Sequence, residues 1–189
     1  MSRDPLSALV TGSSSGIGRA VAERLVGDGV RVLSVDLEPD PGGPGEPFNA
    51  DLTTRDGNRA AVEAALDNFG SLDAVVANAG FQHVSGVAAF EEDRWDALIA
   101  ILLTSPFLLA KYSWDALTKS GHGRFVAIAS AHSLVASPFK AGYVSAKHGV
   151  LGFSQETKRH ESGFHAPVAT AVIAKPSAVA RRLSAATLR

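Results

Sequence analysis

The sequence has no cysteine and a single methionine among its 189 residues. Without thiols, the chain can form neither a disulfide nor a thiolate metal site. It also lacks an excess of either charge, because 18 Lys and Arg balance 19 Asp and Glu for a formal net charge of −1. A nearly neutral chain is not attracted to nucleic acid or to a membrane surface. We therefore expect no nucleic-acid partner and no metal.

Long apolar runs are absent too. No uninterrupted apolar stretch reaches the roughly 20 residues that a membrane-spanning helix needs. A strand-like run begins at Leu6, which leaves no room for a signal peptide. Hydrophobic residues make up 46% of the chain and charged residues 20%, as is ordinary for globular proteins. The sequence predicts a cytoplasmic protein without a membrane segment.

Short apolar runs alternate with stretches of helical spacing along the chain, which predicts βαβ units and a parallel sheet. We expect a single α/β domain over residues 1–189: a doubly wound, Rossmann-type sheet of about six strands with helices on both faces. A surface loop is expected at 38–47 and one long helix, interrupted by Pro106, at 91–119. After about residue 154 a polar run predicts that the last helix leaves the core and that the fold becomes irregular. The predicted strands are 6–11, 30–36, 48–53, 72–80, 123–130 and 168–174.

The segment "TGSSSGIG" at 11–18 follows the first strand and opens a helix. There Gly12 permits a tight turn, Gly16 lets a pyrophosphate approach the backbone, and Gly18 permits close helix–strand packing. Asp36 ends the next strand, where a carboxylate can bind the adenosine ribose and repel a 2′-phosphate. NAD is favoured over NADP. The alternative is a glycine-rich turn beside an exposed aspartate.

Tyr143 and Lys147 stand four residues apart at the start of a predicted helix, in "YVSAKHGVLGF". Residues at this spacing lie on one helix face. A cation beside a phenol favours the phenolate, which makes the tyrosine a candidate general base. Alternatively, both side chains cover apolar surface with their stems.

These motifs together resemble the short-chain dehydrogenase/reductase family. The resemblance spans residues 6 to about 153 and includes "TGSSSGIG", "DLT" at 51–53, "NAG" at 78–80, Ser130 and "YVSAK" at 143–147. It implies that Tyr143 transfers the proton, Lys147 lowers the pKa of Tyr143 and holds the nicotinamide ribose, and Ser130 binds the substrate oxygen. The implied cofactor-binding residues are Gly12, Ser15, Gly16, Ile17, Gly18, Asp36, Asp51, Leu52, Asn78, Ala79, Gly80, Tyr143 and Lys147.

Within this family the chain is most similar to bacterial 3-hydroxybutyrate dehydrogenases, through "NAGFQHV" (78–84), "RWDALIA" (94–100) and residues 129–153. The resemblance implies that Gln82, His132 and Lys140 gather around a substrate carboxylate, beside Ser130 and Tyr143. Each of the three alone could be a surface residue. The expected activity is NAD-dependent oxidation of 3-hydroxybutyrate to acetoacetate by a homo-oligomer.

The chain departs from the family pattern at two places. Leu102 stands where the family usually has a catalytic Asn, although Pro106 has no N–H and leaves the Leu102 carbonyl free to accept from a water. "AKPSAV" (174–179) only roughly matches the family's loop after the sixth strand, and we expect a C-terminally truncated or frame-shifted chain with an impaired oligomer. The alternative function is a non-catalytic or decayed NAD-binding module.

Overall fold

The computed structural model describes residues 5–160 and 168–173. Its six parallel strands form one sheet in the order β3-β2-β1-β4-β5-β6. The strands are β1 Ser7–Thr11, β2 Arg31–Asp36, β3 Glu46–Asn49, β4 Ala74–Ala77, β5 Arg124–Ser130 and β6 Val168–Ile173. The α-helices are α1 Gly16–Gly27, α2 Arg55–Phe69, α3 Glu92–Ile99, α4 Ser105–Lys119 and α5 Ala141–His160.

Strand β1 lies in the middle of the sheet and is buried along its whole length. It pairs with β2 on one side and with β4 on the other. Both faces of such a strand are covered, which explains why it is a continuous apolar run. The order of the strands reverses between β1 and β4, and ligands of open α/β sheets bind in the crevice at this point.

The helices cover both faces of the sheet, as predicted. Helix α1 packs Val21 and Leu25 against one face, with Val10 of β1 in the same cluster. Helices α2, α4 and α5 cover the other face, where Leu9, Val62 and Leu109 share a second cluster. The prediction of a doubly wound α/β fold is confirmed.

The predicted surface loop at 38–47 is wrong at its end, because β3 already begins at Glu46. Within the described part of the chain, β3 is an edge strand that pairs only with β2, and Pro47 stands in register with Ser34. Proline is tolerated at an edge, where its missing N–H need not serve a second strand.

The interruption of the long helix lies before Pro106. Residues Ala100–Thr104 form a π-turn between α3 and α4, in which Ser105 N–H donates to Ala100 O. Pro106 occupies the first turn of α4, and without an N–H it cannot make the usual bond to the carbonyl four residues earlier. The wider turn accommodates this missing bond, and π-turns of this kind are frequent at functional sites.

Helix α5 continues to His160, beyond the predicted irregularity at about 154. Ser154 is fully buried and donates to Val150 O at 2.9 Å, so the helix does not leave the core at that residue. A satisfied hydroxyl explains why a polar residue is tolerated there. Strand β6 then pairs with β5 over six residues. The segment "AKPSAV" at 174–179 lies outside the described residues.

The helical stretch Glu92–Lys119 is long and apolar enough to cross a membrane by length and composition alone. Half of its most apolar window is buried inside the protein. A buried core helix explains the same composition, because helices that are apolar on most sides are found in cores as well as in membranes.

Candidate active site

A cavity of about 660 Å³ opens at the carboxyl ends of the central strands. Its walls come from the ends of β1, β2, β4 and β5, from the π-turn and from the start of α5. All predicted cofactor-binding residues except Gly18 line it. The described lining residues are Gly12, Ser15, Gly16, Ile17, Asp36, Leu37, Ala50, Asp51, Leu52, Thr53, Asn78, Ala79, Gly80, Phe81, Gln82, Ile101, Leu102, Ile128, Ala129, Ser130, Tyr143 and Lys147.

The glycine turn has a backbone that side chains would obstruct. Gly12 adopts a φ of +65°, and a Cβ on it would lie 2.9 Å from the Cα of Ala79. A Cβ on Gly18 would collide with the carbonyl of Gly12, so the turn and the start of α1 can approach each other this closely only with a glycine at position 18. Gly16 faces open space with a φ of +55°. The turn thus offers bare backbone to the cavity, as a pyrophosphate requires.

Helix α1 begins at this turn without a side-chain cap. Ser15 is the N-cap residue, and its hydroxyl makes no capping hydrogen bond. The amide groups of a first helical turn have no partner within the helix, and the positive end of the helix dipole lies there. The residues present therefore fit the phosphates of a dinucleotide.

Asp36 ends β2 at the opposite side of the turn. Its carboxylate accepts from the amide of Ser14 at 3.0 Å and from that of Glu38 at 3.3 Å. Each carboxylate oxygen can accept more than one hydrogen bond, so Asp36 keeps acceptor capacity for ribose hydroxyls. Farther along the cavity, Asp51 accepts from the amide of Thr53 at 2.9 Å and from its hydroxyl at 2.7 Å.

Asn78 joins the ends of β4 and β1. Its side-chain amide donates to Thr11 O at 3.0 Å and to Gly12 O at 3.3 Å. In return, Thr11 Oγ1 accepts from the amides of Asn78 and Ala79, each at 3.0 Å. These four hydrogen bonds fix the two strand ends against each other and set the width of the cleft.

Tyr143 and Lys147 project from the first turns of α5 into the cavity. The Lys147 side chain donates to Ile128 O at 2.5 Å, and its Nζ lies 5.8 Å from the centre of the Tyr143 ring. Lys147 is only 6% exposed, and this burial lowers the pKa of the ammonium to about 8. At neutral pH Lys147 is therefore still mostly cationic.

Ser130 ends β5 and caps the short turn Ala131–Ser133. Its Oγ accepts from the amide of His132 at 3.2 Å, while its own amide donates to Ser133 Oγ at 3.2 Å. A hydroxyl that accepts from the backbone still has its proton to give. Ser130 can therefore donate a hydrogen bond to an oxygen in the cavity.

The described lining of the cavity includes one of the three residues expected around a substrate carboxylate. Gln82 lines it, whereas His132 and Lys140 are not among its described lining residues. The His132 ring stands edge-on to Tyr143, with centroids 6.0 Å apart. Its two nitrogens lie 3.3 Å from Val135 O and 3.5 Å from Ser137 Oγ. Lys140 immediately precedes α5, and its carbonyl accepts from Val144 N at 2.9 Å.

Leu102 brings an apolar side chain to the cavity wall. It is 2% exposed, and a Cβ placed on Gly80 would collide with its Cδ2. Six other apolar residues line the cavity and were missed by sequence reasoning, although Leu37 and Phe81 directly follow predicted strands. These are Leu37, Ala50, Phe81, Ile101, Ile128 and Ala129. Among the described residues, no cluster of three His, Asp or Glu could hold a metal.

Known proteins with similar sequences are dehydrogenases and reductases. The profile of the family described as short chain dehydrogenase matches residues 7–179. The D-beta-hydroxybutyrate dehydrogenase of Cupriavidus necator is 37% identical over 162 residues, which are 80% of this chain and 63% of that protein. The 3-oxoacyl-(acyl-carrier-protein) reductase of Salmonella typhimurium is 33% identical over 171 residues, 84% of this chain and 68% of that protein. This chain thus spans less than two thirds of the Cupriavidus protein.

Solved structures have the same fold. The ligand-free aldohexose dehydrogenase of Thermoplasma acidophilum superposes with a TM-score of 0.80 at 26% identity, covering 85% of this chain and 63% of that one. A metagenomic short-chain oxidoreductase in complex with NADP superposes with a TM-score of 0.88 at 25% identity, covering 98% and 92%.

Proposed function

Because the chain belongs to the short-chain dehydrogenase family, we propose that it is an NAD-dependent dehydrogenase that oxidises 3-hydroxybutyrate to acetoacetate. The observation that carries this proposal is the single cavity that Tyr143, Lys147 and Ser130 share with the glycine turn and Asp36. One end of that cavity suits a dinucleotide and the other end suits the proton chemistry of an alcohol.

The protein's own groups would act on the proton and on the oxygen of the substrate, while a bound nicotinamide supplies the hydride acceptor. Tyr143 Oη takes the hydroxyl proton as the alcohol becomes a ketone, and Ser130 donates a hydrogen bond to the oxygen. The ammonium of Lys147 lies 5.8 Å from the centre of the Tyr143 ring. A cation at about 6 Å favours a negative charge by roughly 3 kcal/mol at an effective dielectric constant of about 20. Protonated Lys147 therefore supports Tyr143 as the group that takes the proton.

The choice of NAD over NADP rests on Asp36. A carboxylate at the end of β2 accepts from two ribose hydroxyls and repels a phosphate on the 2′ oxygen. The amide of Ser14 holds that carboxylate at the cavity wall, which supports a fixed role in recognising the ribose.

The proposal of a hydroxy-acid substrate rests on similarity to relatives and on one residue of the cavity wall. Relatives named D-beta-hydroxybutyrate dehydrogenase are 36–37% identical to this chain, and Gln82 lines the cavity. We propose that Gln82, His132 and Lys140 bind the carboxylate, because an acid anion needs hydrogen-bond donors and a cation. His132 already stands beside Tyr143.

We also propose a cytoplasmic homo-oligomer. The support is the partly exposed aromatic side chains of Trp95 on α3 and Phe107 on α4, at 38% and 46% exposure. Large aromatic side chains are enriched in protein interfaces.

A second candidate function is an NAD-binding module without turnover. Leu102 supports it, because its Cδ2 methyl group packs against Gly80 where the family resemblance implies a polar amide. A leucine side chain cannot hold a water that relays the proton away from Tyr143.

Replacing Tyr143 with phenylalanine separates cofactor binding from chemistry. In the Tyr143→Phe variant we expect NADH formation from 3-hydroxybutyrate to fall at least about a hundredfold, because a general base contributes about 10²–10⁴-fold. NADH affinity, measured by fluorescence titration, should change less than about twofold, since loss of one hydroxyl spares the phosphate and ribose contacts. The matched control is Tyr112→Phe, which changes the other tyrosine of the chain and should leave turnover intact.

Equal loss of binding and turnover in Tyr143→Phe would contradict the catalytic assignment. If the unmodified protein binds NADH but oxidises neither hydroxy acids nor uncharged secondary alcohols, the module without turnover is correct. Recovery of activity in Leu102→Asn would then identify Leu102 as the cause.

A further inference from the structure

The loop at 37–45, which we name the ribose loop, connects β2 to β3 and follows Asp36 at the cavity wall. Several hydrogen bonds hold its backbone in place. Ser14 Oγ donates to Glu38 O at 2.8 Å, and Asn49 Nδ2 donates to Leu37 O at 2.5 Å. Near its far end, the Ser34 hydroxyl donates to the carbonyl of Pro44. The ribose loop is therefore fixed to both the glycine turn and β2.

Arg19, in the first turns of α1, reaches across to this loop. Its Nη1 donates to Asp40 Oδ2 at 2.7 Å, and its Nε donates to Glu23 Oε1 at 3.0 Å. The same Nη1 lies 3.5 Å from Ser14 O, and the amide of Ser14 donates to Asp36. Ser14 thus lies between the Arg19 guanidinium and the carboxylate of Asp36, which we propose binds the ribose.

We propose that Asp40 determines cofactor specificity, because it occupies Arg19 and so keeps Arg19 from binding a 2′-phosphate. This inference rests on the proposed NAD-dependent function. A phosphate dianion beside the ribose needs a cation, and a guanidinium suits phosphate oxygens well. The sequence has no Lys or Arg at 11–18 or at 32–54. Arg19 is therefore the cation that lies beside both the glycine turn and the ribose loop.

The carboxylate of Asp40 is held ready for this role. The amide of Gly42 donates to its Oδ1 at 3.0 Å, while Oδ2 faces Arg19. The hydrogen bond from Arg19 and the one from Gly42 lower the pKa of Asp40, so it is ionised at neutral pH. A 2′-phosphate that approached Arg19 would have to displace Asp40 from it and would meet the carboxylate of Asp36, which lines the cavity.

The experiment compares affinities for NADH and NADPH by fluorescence titration at low salt, where exposed charges are least screened. In Asp40→Asn we expect NADPH to bind about threefold to tenfold more tightly, between the effects of an exposed ion pair and of a charge-assisted hydrogen bond. NADH affinity should change less than about twofold, because NADH has no phosphate at that position. Asparagine keeps the side-chain oxygen that accepts from Gly42.

Two further variants make the test specific. Asp28→Asn removes a carboxylate from a comparable pair, Arg24 Nε to Asp28 Oδ2 at 3.0 Å, at the far end of α1, and should leave both affinities unchanged. Arg19→Gln combined with Asp40→Asn should lose the gain in NADPH affinity.

If the double variant keeps the gain, Asp40 merely repels phosphate and the role of Arg19 is overturned. Equal effects of Asp40→Asn and Asp28→Asn, or no effect of Asp40→Asn in a protein that binds NADH, overturn the inference alone. If the unmodified protein binds neither dinucleotide, or prefers NADPH, the NAD-dependent function fails together with it.

Discussion

Lys147 is a charged residue in buried surroundings, and burial disfavours its charged form. The side chain is 6% exposed, and its ammonium donates to one backbone carbonyl, that of Ile128. Burial lowers its pKa from 10.5 to about 8. A depression of this size corresponds to roughly 3 kcal/mol of lost stability while the group is charged. Stability does not explain a lysine here, whereas the proposed role of a cation beside Tyr143 does.

Replacing this lysine should stabilise the fold. We expect Lys147→Met to raise the free energy of unfolding by about 1–3 kcal/mol near neutral pH, because it removes a buried charge, and to abolish turnover. The unfolded chain holds the lysine proton more tightly than the folded one. The free energy of unfolding of the unmodified protein should therefore rise as the pH goes from about 8 towards 10.5, and the advantage of the variant should shrink there.

Urea unfolding at several pH values measures both effects. The control is Lys111→Met, which changes an exposed lysine of α4 and should alter stability by less than about 0.5 kcal/mol. A stability gap between Lys147→Met and the unmodified protein that stays constant through this pH range would show that the lysine charge is not its source.

Spacing was enough to place Tyr143 and Lys147 on one helix face, and the family resemblance added Ser130 at the end of a strand. All three line one cavity. The contact between Lys147 and Ile128 was not predictable, since it joins residues 19 apart through the packing of α5 on β5. The contacts of His132 were not predictable for a related reason. Its ring nitrogens lie near Val135 and Ser137 of its own loop, and loop geometry has no periodicity to read.

At the scale of the elements, a buried amide joins α2 to α4. Asn58 of α2 is fully buried and donates to Leu52 O at 2.8 Å and to Thr54 O at 2.6 Å. Its Oδ1 accepts from Ser105 Oγ at 2.7 Å. Ser105 directly follows the π-turn, and Leu52 lines the cavity. One side chain thus connects two walls of the cavity.

Removing the Ser105 hydroxyl should lower the free energy of unfolding. In Ser105→Ala the Asn58 Oδ1 loses its donor within the core, and an unsatisfied buried acceptor costs about 1–3 kcal/mol. Ser113→Ala is the matched control on the same helix, since Ser113 is also fully buried but donates to Leu109 O, a helical carbonyl. Denaturant unfolding should show the larger loss for Ser105→Ala, and equal losses would contradict a special role for the Asn58 contact.

The elements differ in how far their sequences determine them. The alternation of apolar runs predicted five of the six strands, because buried parallel strands need such runs. Strand β3 at Glu46–Asn49 is mostly exposed and shares only two residues with the predicted run at 48–53. The π-turn at Ala100–Thr104 was not predictable in kind. Pro106 signals that one hydrogen bond is missing, but the packing of α3 and α4 decides whether the helix bends, ends or widens there.

At the scale of the whole molecule, the doubly wound class followed from the sequence but the strand order did not. Periodicity marks which segments are strands and says nothing about which strands pair. The pairing of β1 with β4 depends on contacts between residues far apart in the chain. One of them joins the backbone amide of Ser7 to the carboxylate of Asp73, 66 residues later.

That distant pairing also affects how fast the site forms. Asn78 must reach Thr11 before the glycine turn has its final support, and contacts between segments so far apart form slowly, because a long loop must be closed first. The dinucleotide therefore has no finished site until the central strands have met. We expect saturating NADH to slow unfolding in stopped-flow experiments while leaving the refolding rate nearly unchanged, as stabilising contacts absent from a transition state do. Faster refolding with NADH would mean that NADH already binds the transition state, in which the sheet is only partly formed.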